Sequence, residues 1–130
     1  MKIVAFPSPD DHIEAALDGH RVRNEALIAR LREFHVVLNQ PREIDLHFFA
    51  PSQPAARSIA AALKARGLPE PAVSTSDSDG MVSVEATVML PVTVVVTRAF
   101  IEPLVRIAFE FGGVHDGWGT SIEEAGTSAD

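Results

Sequence analysis

The 130-residue chain is 46% apolar, carries 8 glycines and 9 prolines, and has no cysteine. That balance fits one compact domain around a single core and excludes wholesale disorder, disulfides, thiolate catalysis and cysteine-ligated metal. Eleven basic against eighteen acidic side chains give a formal charge of −7, which opposes indiscriminate binding to a phosphate backbone and favours recognition of proteins.

The opening MKIVAFPSPDDH is broken by prolines and acids, and the apolar run from Met89 to Ala99 contains Pro91 and is interrupted by Arg98. Both fall short of a secretory core or of the roughly 20 residues of a membrane span, so a cytoplasmic protein is expected. Ser8, Pro9, Asp10 and Asp11 have the chemistry of a helix start: a capping hydroxyl, a proline for the first turn, and acids against the positive helix end. Ile13 and Leu17 follow, Gly19 reads as a stop, and Asn24, Leu27, Leu31 and Phe34 resume helical spacing. One interrupted helix or two short ones are expected. Glu43, Asp45 and His47 then alternate with Ile44, Leu46 and Phe48, predicting a half-buried strand over 43–49. Ser52, Pro54, an alanine-rich run and Gly67 predict a helix over 52–67 with Ile59 and Leu63 one turn apart. A short strand over 72–76 and a turn at 77–80 lead to the clearest strand, 81–90, where Val82, Val84, Ala86 and Val88 alternate with Ser83, Glu85 and Thr87. Within 93–113, Val96, Phe100, Leu104, Ile107 and Phe111 are spaced as one buried helical face. Pro103 should kink that helix, and a start near Thr97 would place it in the second turn. Val114 to Trp118 is the last strand. This order is a split β-α-β arrangement: an α+β sandwich in which two helices cover one face of a four-stranded antiparallel sheet, with a further helical region ahead of it.

The most unusual local composition is 110-EFGGVHDGWGTSIEE-124. Its segment Asp116-Gly117-Trp118-Gly119-Thr120 resembles the closing motif of the RraB family, regulators of ribonuclease activity B that inhibit RNase E. The segments FEFGGVH, REIDLHFF and MVSVEATVMLP and the alanine-rich helix stand in the corresponding order, and the resemblance covers about residues 23–122. It divides the chain into an N-terminal extension over 1–22, a domain over 23–122 and a flexible tail over 123–130. It implies a ferredoxin-like fold and a non-enzymatic, cofactor-free regulator that binds a protein partner, RNase E or a functional counterpart. The best-known representative has a long acidic extension, whereas Asp116, Glu123, Glu124 and Asp130 are the acids at this end.

Read from the residues themselves, Gly117 and Gly119 permit tight geometry around Trp118, whose ring either packs over a small core or is presented to a partner. Asp116 needs an amide, an arginine or water. His115 beside it points to the opposite face of an extended strand, which argues against an acid–base pair. Glu43, Asp45 and His47 share one strand face; ordinary solvation is the first reading, with a polar recognition patch or a weak metal site as alternatives, the latter without the further ligand that a metal site needs. Together with Asp116 to Thr120, Glu123 and Glu124 are candidate contacts for a basic partner surface. His12, His20 and His35 are scattered and make no zinc motif, Asp77, Asp79 and Gly80 read as a turn, and no serine stands in a nucleophile motif. Two alternatives stay open: a small-molecule-binding or enzymatic domain using Asp45, His47, His115 and Asp116, and direct RNA binding through Arg57, Lys64 and Arg66. A pocket joining the first group, or a continuous basic face, would favour one of these; a shallow patch near 116–120 would favour protein recognition.

Overall fold

The computed structural model describes residues 9–69, 71–75 and 80–121. The proposed Ser8 cap, most of the 77–80 turn, and Glu123 and Glu124 with the tail lie outside the described residues. The elements are α1 (Pro9–Glu33), β1 (Arg42–Ala50), α2 (Gln53–Ala65), β2 (Ala72–Thr75), β3 (Val82–Leu90), α3 (Val92–Val95), α4 (Arg98–Glu110) and β4 (Val114–Gly119). The strands form one antiparallel sheet in the order β2-β3-β1-β4, the split β-α-β order of a ferredoxin-like sandwich.

Strict alternation builds the core. Ile44, Leu46, Phe48 and Ala50 of β1 lie opposite Val88, Ala86, Val84 and Val82 of β3, all buried. Against this face pack Ala56, Ile59 and Leu63 of α2 and Leu104 and Ala108 of α4. Ser52 caps α2 through the amide of Ala55, as its position implies.

Two helices, α2 and α4, cover one face of the sheet as the pattern implies, and the further N-terminal region is one helix, α1, which runs unbroken through Gly19 and packs against α4. A mid-helix glycine costs about 1 kcal/mol, and the continuous buried stripe of Ile13, Leu17, His20, Asn24 and Leu31 outweighs it. Phe34 falls beyond that stripe and is 46% exposed. The helix ends there in a Schellman turn: Val36 N–H bonds Leu31 O, His35 N–H bonds Arg32 O, and His35 takes the positive φ of 59°. The same 6→1 and 5→2 bonds close α2 at Gly67 and α4 at Gly112.

The 93–113 region is two helices. Thr97 breaks it by capping α4 through the amide of Phe100, and Pro103 sits inside α4. The buried line of α4 is Ile101, Leu104, Val105 and Ala108, while Phe100, Ile107 and Phe111 are only partly buried. The difference comes from α1, whose Ile13 and Leu17 cover Ile101 and Val105 in a second apolar cluster.

Candidate functional site

The segment that carries the family resemblance is the edge strand β4. It pairs with β1 across a bulge between His47 and Phe48: His115 lies opposite Phe48, Gly117 opposite His47 and Trp118 opposite Leu46. Asp116 is therefore the extra residue, and it is exposed. The bulge lets His115 and Trp118, three positions apart, both turn toward the helices.

There they meet α1. The Trp118 ring N–H donates to Asn24 Oδ1 at 2.8 Å. His115 lies between Phe48 and His20, with ring centroids 4.5 and 4.9 Å away, and its Nδ1 donates to the His47 carbonyl at 3.0 Å. Burial, reinforced by the charge of His20, pushes the His115 pKa down to about 3. His20 is lowered too, by burial and then by Arg23, whose guanidinium bonds its Nδ1 at 3.2 Å. Thr120 closes the segment by donating to the Glu43 carbonyl at 2.7 Å and accepting from Arg42 Nε at 2.9 Å. Of the two readings of Trp118, the inward one is realised: 9% of the residue is exposed.

The other face of the sheet carries Glu43, Asp45, His47 and Phe49 of β1 beside Met89, Thr87, Glu85 and Ser83 of β3. Thr87 donates to Asp45 Oδ1 at 2.8 Å, and His47 Nδ1 lies 3.2 Å from Glu85 Oε2. On the β4 side, Gly119 stands opposite Asp45 and Gly117 opposite His47. Both polar β1 side chains thus border a strand with no side chain of its own at those positions.

The proposed enzymatic group does not assemble. Asp45 and His47 face outward, His115 is buried beneath the sheet, and Asp116 projects at the bulge. Among the described residues no three histidine, aspartate or glutamate side chains are placed to hold a metal. A cavity of about 540 Å³ between α1 and the α3–α4 junction is lined by Glu14, Leu17, Asp18, Arg21, Arg98 and Ile101 among others, and contains none of the proposed group. Arg57, Lys64 and Arg66 are exposed on α2 and its C-cap. No helix of the described residues is long and apolar enough to cross a membrane.

Sequence reasoning missed His20 and Asn24 as partners of the motif. The signal was present: they occupy the apolar stripe of α1, where 13, 17, 20, 24 and 31 recur at helical intervals, and a polar residue on such a stripe needs a buried partner.

These features define an α+β domain of ferredoxin-like topology whose edge strand is clamped from behind by an additional helix. The sequence model of RraB, regulator of ribonuclease activity B, matches residues 21–120, and the chain belongs to this family of ribonuclease regulators. A search of curated proteins gave no match.

Proposed function

We propose that this protein regulates a ribonuclease by binding it, with RNase E or a functional counterpart as the target, and that it acts in the cytoplasm without catalysing a reaction. Residues 23–122 form the interacting domain, and the segment Asp116 to Thr120 shapes its contact surface, with Asp116 as the contact and Trp118 as the internal support beneath it. The observation that carries this reading is the bulge in β4. It sends Asp116 to solvent while Trp118 and Thr120 are tied to α1 and β1, so the exposed carboxylate stands on a rigid strand. Glu123 and Glu124 extend the acidic contact in sequence. A basic surface on the ribonuclease is the complementary partner.

The direct test combines purified protein with purified RNase E. Calorimetry is expected to detect binding, addition of the protein should slow cleavage of a labelled RNA, and Asp116→Asn should weaken both effects. Absence of binding to RNase E removes the named target. Binding to the RNA substrate alone would transfer the effect to the RNA-binding alternative.

A further inference from the structure

We propose that the uncovered face of the sheet, over the glycine-floored part of β4 and the polar row of β1, receives an extended arginine-bearing segment of a protein partner. The assignment rests on the regulatory reading above and adds the surface and the partner chemistry.

Among the described residues all helices lie on one side of the sheet. α2 and α4 pack on the Ile44–Ala50 face, and α1 reaches the same side through His115 and Trp118. Among the described residues nothing covers the opposite face, where Met89 is 67% and Val114 54% exposed. Its central strand presents Glu43 and Asp45, and Glu85 stands across from His47. No strand residue on this face is a lysine or arginine; Arg42 belongs to the opposite parity, and the other described cationic side chains lie on helices or the α2 cap. Carboxylates two positions apart on a strand are separated by about 7 Å, the same repeat as alternate side chains of an extended partner. Arginine matches carboxylates with a planar fork of donors. Phe49, Met89 and Val114 supply apolar contacts beside the charges.

The glycines decide where the partner lies. A Cβ on Gly119 would come 3.9 Å from His47 Nε2, and one on Gly117 would meet nothing within 4 Å. Among the described residues the space directly over Gly117 and Gly119 is therefore free beside Asp45 and His47, low enough for a backbone to approach. A second copy of this chain fits poorly, because it would stack carboxylates against carboxylates. RNA fits poorly for the same reason, and because Trp118, the large stacking ring of this segment, is turned inward.

The test uses fluorescence anisotropy of a labelled alternating arginine–leucine peptide, and purified RNase E in parallel, at about 0.15 M ionic strength. Gly119→Val fills the trough without changing charge; its backbone has no positive φ and a strand favours valine. A second variant combines Glu43→Gln, Asp45→Asn and Glu85→Gln. A control combining Asp18→Asn, Glu25→Gln and Glu110→Gln removes equal charge from the helices. Both sheet-face variants should weaken binding of peptide and RNase E about tenfold or more, and the control less than about threefold. Thermal melts confirm that each variant is folded. Equal losses in control and sheet-face variants, or no peptide binding, overturn the proposal. So does RNA binding, or a dimer in light scattering, that Gly119→Val abolishes. If RNase E binds all variants equally, the surface is wrong while the regulatory reading stands. If the peptide binds through this face and RNase E does not bind at all, the surface stands and the named target falls.

Discussion

Trp118 and Asn24, 94 positions apart in the chain, are joined by a 2.8 Å hydrogen bond from the indole N–H to the amide oxygen, in a site closed to solvent on both sides. This bond links the edge strand to α1 and turns the largest side chain of the segment into a fastening. Asn24→Leu leaves a buried indole N–H without an acceptor and should cost about 1–3 kcal/mol. Trp118→Phe removes the donor together with packed volume. Because each change removes the same bond, the double variant should lose measurably less than the sum of the two. Urea unfolding of the four proteins measures this, and strict additivity would show that the bond contributes nothing.

The two stacked imidazoles make stability depend on pH. An unfolded histidine takes up its proton near 6.5, whereas folded His115 resists protonation down to about 3, and His20 is shifted in the same direction. Between these values the unfolded chain binds more protons, so stability rises with pH. The His115 contribution is complete above 6.5 and is lost as pH falls toward 3, by up to ~1.4 kcal/mol per pH unit, and His20 adds to the loss in the same direction. Urea midpoints should therefore drop from pH 7 to pH 4, and His115→Phe should flatten that slope while lowering stability at neutral pH by exposing the need of the His47 carbonyl for a donor. An unchanged slope in the variant would place the dependence elsewhere.

Much of this architecture was legible because its signals are local. The alternation of Ile44, Leu46 and Phe48 with Glu43, Asp45 and His47 fixes both a strand and its two faces, and Ser52 and Gly67 mark the ends of α2 within a few residues of themselves. The course of α1 was not legible at Gly19, because what holds the helix together is tertiary: Ile101 and Val105 cover its first half, and His115 and Trp118 satisfy His20 and Asn24. The same long-range contact decided the direction of Trp118. Flanking glycines allow either direction, and only the bulge against β1 together with Asn24 selects the inner one. Alternation alone puts Asp45 and His47 on one face, but their glycine-lined border depends on the register between β1 and β4, which no single strand records.

Pro103 offers a stabilising change. It lies in the interior of α4, where its nitrogen cannot donate to the Ala99 carbonyl one turn earlier. Pro103→Ala restores a donor and removes the ring from the preceding turn, and should raise stability by ~1–3 kcal/mol. Thermal unfolding reads the change directly. A lowered midpoint would mean that the ring's packing outweighs the missing bond.

Gly113 joins α4 to β4, and steric contact explains the residue there. A Cβ at this position would lie 2.4 Å from the Phe49 carbonyl oxygen and 3.0 Å from Ile59 Cδ1. The first is backbone of the central strand and cannot yield without disturbing β1, so Gly113→Ala should destabilise by at least ~1–3 kcal/mol. Its neighbour Gly112 differs: its φ is +75°, and a Cβ would meet only Pro51 Cγ at an ordinary 3.8 Å. Gly112→Ala should thus pay conformational strain alone, about 1–2 kcal/mol, and Gly112→Asn less, since asparagine tolerates the left-handed region. Urea unfolding of the three variants should rank Gly113→Ala as the most damaging. If Gly112→Ala proves equally costly, chain conformation and not the close approach of β1 is what requires glycine at this junction.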